Sequence, residues 1–422
     1  IEGAWNEDGK GESIWDRFSH TPGKVKNGDT GDIACDHYHR YAEDVALMKQ
    51  LGVKAYRFSI SWPRVLPKGK GAVNNAGLDF YKRLVDELLQ AGIEPWICLH
   101  HWDLPQAMQN EGGWANPISV QYFADYAKLL AQELGGNIKR WTIFNEPRCI
   151  AWLGYLIGIH APGKKDMQLA VKVSHHLMLA LGRTIQTLKD YNHSFCVGTI
   201  VDLNAVHPIG DSQKDREAAH KHDQFWNRWF IDPLFKGEYP PLAGETGLKP
   251  TKDDMSLIRQ PLDFLGVNYY TRTIIAHDAS VPVTRAKGVQ KKTPTTEMGW
   301  EIYPDGLYEV LMRFRTEYGN PLLYVTENGA AFEDNVTRSG EVQDDDRIAY
   351  LRDHIASAYQ ALRDGVNLKG YFTWTLMDNF EWAEGYSKRF GLVYIDRQTL
   401  KRTPKKSFRW YKNIIANNGI TF

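Results

Sequence analysis

The chain has 422 residues, with 51 basic and 51 acidic side chains, so its formal net charge is zero. That balance argues against a nucleic-acid or anionic-membrane partner, either of which would favour a basic surplus. The length allows one large domain or two to three ordinary ones, and 43% hydrophobic residues suffice for a sizeable core.

Short apolar runs alternate with amphipathic ones along the whole chain. The first predicted strand is 54–62 (KAYRFSISW). A helix follows over 77–92, where Leu78, Tyr81, Leu84 and Leu88 recur at helical spacing and Gly92 stands at the expected C-cap. Strands are then predicted at 94–102 (EPWICLHHW), 140–146 (RWTIFNE), 195–203 (FCVGTIVDL) and 263–270 (DFLGVNYY). The segment 271–299 is polar and aperiodic and reads as a loop insertion. A strand at 322–327 (LLYVTE), a helix at 345–364 ending before Gly365, and a strand at 370–377 (GYFTWTLM) complete the series. Near-continuous apolar strands are those buried on both faces, and repeated β–α units imply a parallel sheet.

No linker or low-complexity stretch divides the sequence, so 1–422 reads as a single catalytic domain. A closed (β/α)8 TIM barrel takes about 250 residues, and over 400 with loop insertions. The rival, an open doubly wound sheet, lacks its Gly-rich phosphate loop after an early strand. The seven strands counted are one short of a barrel's eight, and the first strand is expected to be missing from the N-terminus.

Cys35, Cys98, Cys149 and Cys196 form no CxxC pair, which suggests neither a zinc site nor a disulfide framework. No signal-peptide pattern opens the chain and no apolar run is long enough to span a bilayer, so a cytoplasmic location is expected. Asn192-His-Ser194 and Asn335-Val-Thr337 match glycosylation acceptors only by chance on that reading.

Functional groups of a barrel gather at the C-terminal ends of its strands. Here those ends carry Ser61, Trp62 and Arg64, with Arg57 inside the strand; His100, His101, Trp102 and Asp103; Asn145 and Glu146; Asn204; Asn268, Tyr269 and Tyr270; Glu327 and Asn328; and Trp374. The last loop adds Asp378, Asn379, Glu381 and Trp382. A single glutamate at a strand end is usually a solvated loop residue. Two glutamates, each beside an asparagine and each closing a strand of one barrel, can form the carboxylate pair of glycoside hydrolysis. A metal is not called for: His37 and His39 cannot share a helical face, His100 and His101 point to opposite sides of a strand, and HExxH is absent. The chain's 14 Trp, 21 Tyr and 17 Phe serve mostly as core, but Trp300, Trp374 and Trp382 lie in polar surroundings where a sugar ring could stack.

"YRFSISWPR", "HHWDLP", "NEP", "GVNYY", "TENG" and "DNFEWAEGYSKRFGL" together resemble the family 1 glycoside hydrolases, the retaining β-glucosidases, across essentially the whole chain. The resemblance implies a (β/α)8 barrel, no cofactor, and double displacement on small β-glycosides or short oligosaccharides. By the "NEP" match Glu146 is the general acid/base, and by "TENG" Glu327 is the nucleophile. Arg57 would keep Glu327 charged and Tyr270 would orient it. Ionised Glu327 would in turn keep Glu146 protonated. The strand 140–146 would fix Glu146 while Pro147 turns the chain away.

Asn145 would hold the 2-hydroxyl, His101 and Trp382 the 3-hydroxyl, and Glu381 the 4- and 6-hydroxyls. Trp102 adjoins this group, and Trp374 would stack beneath the ring. Asn268 is expected on the leaving-group side and Trp300 at the aglycone platform. A carboxylate at Glu381 would repel a 6-phosphate, favouring unphosphorylated sugars. The expected activity is therefore exo-hydrolysis of β-D-glucosides, with β-galactosides and β-fucosides as further substrates. Family members carry a strand with a glycone-binding Gln just before the counterpart of Ile1–Trp5; were that segment truly gone rather than lying outside residues 1–422, the barrel would have an open seam. The C-terminal "GITF", another chain or an added peptide could fill it. The alternatives are a weakened sugar-binding barrel and a transglycosylase using the same two glutamates.

Overall fold

The computed structural model describes residues 1–334 and 336–420. Asn335 of the second glycosylation match, and Thr421 and Phe422 of "GITF", lie outside the described residues. Twelve strands occur among them: β1 Ala55–Ser59, β2 Glu94–His100, β3 Arg140–Asn145, β4 Cys196–Asp202, β5 Ala205–Pro208, β6 Phe264–Asn268, β7 Arg272–His277, β8 Ala286–Gly288, β9 Leu323–Glu327, β10 Leu368–Tyr371, β11 Val393–Ile395 and β12 Arg402–Pro404.

Seven of them form one parallel sheet in the order β1-β2-β3-β4-β6-β9-β10, the wall of a (β/α)8 fold. Six of them correspond to strands predicted from the apolar runs, and most of these ladders stop one to three residues before the run does; the seventh, β10, shares only residues 370–371 with the predicted 370–377. The surplus residues leave the sheet and enter the mouth: Ser61, His101, Glu146, Tyr270. Helices Asn75–Gln90 and Asp345–Arg363 occupy their predicted spans, and Gly92 and Gly365 follow at φ 75° and 92°, the left-handed turn that ends each helix. The barrel floor is packed by Trp96, Phe264 and Tyr324, whose rings meet at 4.8–5.6 Å.

The segment 271–299 is not the structureless insertion expected. Arg272–His277 pairs parallel with β5 and antiparallel with β8 in a separate three-stranded sheet beside the mouth. Its strands are short and half-buried, so neither an apolar run nor a clear alternation announces them.

β1 and β10 do not pair with one another. Their burial shows the consequence: β6 and β9 are buried at every residue, whereas β1 is buried only at Phe58 and β10 nowhere. A cleft of about 860 Å³ separates them, lined by Ala55, Tyr56 and Arg57 on one side and Lys369 to Leu376 on the other. Gly419 and Ile420 reach the rim of this cleft.

Candidate active site

β3 ends at Asn145 and the chain reverses at Glu146, whose φ of 52° lies in the left-handed region. The turn is therefore made by the glutamate itself, and Pro147 follows it rather than causing it. The Glu146 amide donates to the carbonyl of Ile200 in β4 (3.1 Å), and its Oε1 accepts from Asn268 Nδ2 at 2.6 Å. Asn268 is fully buried, and its own Oδ1 accepts from Thr326. Its amide donates to both Glu146 and Asn145, and the residue lines the cleft that also holds Tyr270 and Trp300.

Glu327 closes β9 and is held at both oxygens: Oε1 accepts from Arg57 Nη1 at 2.8 Å and Oε2 from the Tyr270 hydroxyl at 2.5 Å. Arg57 Nη2 also donates to Asn145 Oδ1. Glu146, Asn268, Asn145, Arg57 and Glu327 thus form one connected hydrogen-bond network. Such a network fixes rotamers before any ligand arrives.

The electrostatics separate the two carboxyls. Burial pushes Glu146 well above the usual carboxylate range, and the charges of Asp202 and then Glu327 add to it. Burial also raises Glu327, but the Arg57 guanidinium and the Tyr270 hydroxyl pull it back. Glu327 is consequently the one to ionise first, and Glu146 keeps its proton. The sequence reading names only Glu327 as the cause for Glu146; burial and Asp202 contribute ahead of it.

The expected glycone residues gather around these two. Trp102 Nε1 donates to the Asn145 carbonyl (3.0 Å), and Asn145 Nδ2 lies 3.1 Å from His101 Nε2. Burial, reinforced by Arg57, holds His101 well below the ordinary imidazole range and so neutral. The Trp382 ring centroid is 4.8 Å from Trp102 and 5.7 Å from His101. Glu381 and Trp374 line the same cleft, and Trp300 packs 5.3 Å from Tyr270 on its far side. Burial, then the Glu327 charge, raise Glu381 to about 8, so it is mostly a neutral hydrogen-bonding acid at neutral pH and its repulsion of a phosphate is weaker than expected.

Other strand-end candidates are structural. Trp62 is buried among Trp114, Phe123 and Tyr126. Arg64 binds Glu2 and the carbonyls of Gly3 and Ala4. His100 is buried in the core, where desolvation lowers it to about 3. Asp378 is fully buried and accepts from Lys405, Arg389 and the Gly391 amide, which anchors the loop bearing Glu381 and Trp382.

Asp202 and Arg148 escaped the sequence reading. Asp202 ends β4 beside Glu146, and Arg148 donates to it and to Asn204 Oδ1 (3.0 Å). The strand-end rule that located Glu146 also covers Asp202. Glu146, Cys149 and Asp202 bring one carboxylate or thiol atom each within 4.8 Å of the others, the one such trio among the described residues. Arg148 already supplies this trio with a positive charge.

The sequence profile described as "Glycosyl hydrolase family 1" matches residues 1–420. Beta-glucosidase A of Acetivibrio thermocellus is 47% identical over 427 residues, covering 99% of this chain and 95% of that protein. The bifunctional beta-D-glucosidase/beta-D-fucosidase of Bifidobacterium breve is 43% identical, covering 99% of this chain and 95% of its own. Among solved structures, the beta-glucosidase of Thermotoga maritima in complex with deoxynojirimycin superposes with a TM-score of 0.97 at 47% identity, covering 100% of this chain and 96% of the other.

Proposed function

The chain belongs to glycosyl hydrolase family 1, and from that premise we infer a retaining exo-β-glucosidase that removes terminal, non-reducing β-D-glucosyl groups. The observation that carries the reading is Glu327 gripped by Arg57 and Tyr270 while Glu146, bonded to the uncharged amide of Asn268, stands on the same network. One carboxylate is kept charged and one acid is kept neutral, the division of labour that double displacement requires.

Glu327 attacks the anomeric carbon as Glu146 donates its proton to the departing oxygen. The glycosyl ester formed at Glu327 removes its negative charge, so the proton affinity of Glu146 falls. Glu146 then takes a proton from the incoming water, whose oxygen displaces Glu327. Asn145 meets the 2-hydroxyl, a contact that strengthens as charge develops at the anomeric carbon. Neutral His101 and Trp382 address the 3-hydroxyl, with Trp102 buttressing both. Glu381 takes the 4- and 6-hydroxyls, Trp374 supports the ring and Trp300 faces the aglycone. A β-D-fucoside lacks the 6-hydroxyl and carries its 4-hydroxyl axial, so it loses one Glu381 contact and redirects the other, while the contacts at the 2- and 3-hydroxyls remain. The named activity of the Bifidobacterium breve relative favours that second substrate.

Two further readings go with this one. Four free thiols suit a reducing, cytoplasmic setting. The cleft between β1 and β10 suits an extended peptide or chain segment lying parallel to both strands, because each edge presents unpaired backbone groups.

The decisive experiment replaces the nucleophile. Glu327→Gly should abolish hydrolysis of a nitrophenyl β-glucoside, and added azide should restore turnover as the α-glycosyl azide. Hydrolysis that survives the substitution would reject the assignment.

A further inference from the structure

We propose that the Arg148–Asp202 ion pair is a positioning pair for Glu146, built to govern how firmly the acid/base keeps its proton through the catalytic cycle. The inference rests on the glycosidase reading above and deepens it.

Asp202 stands where β4 leaves the sheet, two residues beyond Ile200, whose carbonyl accepts the Glu146 amide. Register alone therefore brings the two carboxyls together, and an oxygen of each lies within 4.8 Å of the other. Asp202 Oδ2 is taken by Arg148 and lies 3.4 Å from the Cys149 thiol. Its Oδ1 is buried and has no protein partner among the described residues. Arg148 is likewise buried, its guanidinium 4.5 Å from the centroid of the Trp226 ring. A buried ion pair is costly to build unless well bonded, and breaking one partner leaves an uncompensated charge.

The other groups around Glu146 have prior engagements. From β9 comes Glu327, bonded to Arg57 of β1 and to Tyr270 beyond β6. Just beyond β2 comes His101, kept neutral by burial. The last loop brings Glu381, and Asn268 donates an uncharged amide. Cys149 is a buried thiol raised well above its usual range by burial, then by Asp202. His222, beside Arg148, is lowered to about 4 by burial and carries no charge at neutral pH. Of the charges acting on Glu146, the Glu327 charge vanishes when the glycosyl ester forms. The charge of Asp202 does not. It maintains a steady upward push on Glu146 in both halves of the cycle, and Arg148 trims that push so that Glu146 can still release its proton to the first leaving group.

The test is the alkaline limb of kcat/KM, which reports Glu146 in the free enzyme. With a nitrophenyl β-glucoside, Asp202→Asn should move that limb down by about one pH unit. Arg148→Met should move it up, and the double variant should return it close to wild type. A dinitrophenyl β-glucoside needs little acid assistance, so its kcat/KM should be nearly unchanged in all three. Opposite shifts that cancel in the double variant support the pair's role. Limbs that stay put, or single variants that lower both substrates equally, would overturn it. Should Asp202→Asn fail to fold, the direction of the Arg148→Met shift decides alone. The outcomes separate cleanly from the parent reading: a wild-type protein without hydrolysis refutes the glycosidase, whereas unshifted variants of an active enzyme refute only this inference.

Discussion

At the scale of single residues, Arg57 is the group on which the site turns. Its guanidinium touches both Glu327 and Asn145, and its side chain is only 6% exposed. A buried charge acts at close range with little screening. Replacing Arg57 with Met withdraws the cation that lowers Glu327, so Glu327 holds its proton to higher pH. The acid limb of kcat/KM should rise by about one pH unit or more, and the plateau should fall about a hundredfold or more. An acid limb that stays in place under steady-state titration would break the link between Arg57 and Glu327. Arg57 was legible through the "YRFSISW" resemblance, which implied its place beside Glu327. Asp202 was not singled out, because a partner on the neighbouring strand leaves no spacing in the sequence: only register, Ile200 accepting the Glu146 amide, brings it to the site.

At the scale of elements, position in the mouth depends on how strands leave the sheet. The barrel strands were legible from their apolar runs, since burial on both faces suppresses alternation. Their ends were not, because the ladder stops where the backbone swings outward, as at Glu146, and such turns are set by contacts with neighbours. The exit of β9 shows the constraint most plainly. Gly329 follows Glu327 by two residues, and a Cβ there would stand 1.8 Å from the Trp374 carbonyl oxygen. The two backbones are further tied by the Trp374 amide donating to the Asn328 carbonyl at 2.9 Å. Gly329→Ala must push the segment after β10 away from β9, carrying Trp374 with it. Equilibrium unfolding in denaturant should show a loss of about 1–3 kcal/mol. KM for a β-glucoside should rise as the stacking face shifts, and a variant with wild-type stability and KM would show that the two backbones have room to part.

At the scale of the whole molecule, the open seam and the site share one strand. Backbone N–H groups alternate sides along β1. Ile60 donates to the Cys98 carbonyl in β2, so the Phe58 amide also faces β2, while Arg57 and Ser59 turn their amides to the opposite, unpaired edge. On the other wall, Phe372 donates to Val325 of β9, which turns the Tyr371 amide toward the cleft. Unpaired amides at an exposed edge exchange with solvent far faster than laddered ones in the same strand. Hydrogen exchange resolved by residue on residues 1–422 alone should therefore find Arg57, Ser59 and Tyr371 fast, and Phe58 and Phe372 slow. Equal protection on both sides of β1 would mean that a strand already lies in the cleft. The functional consequence follows from Arg57, whose amide borders the seam while its guanidinium grips Glu327. Any extended segment that pairs with β1 must steady that grip, so an occupant that slows exchange at Arg57 should raise kcat in step with its occupancy. Protection gained without a gain in kcat would show that the seven-stranded wall already holds its arginine as firmly as catalysis needs.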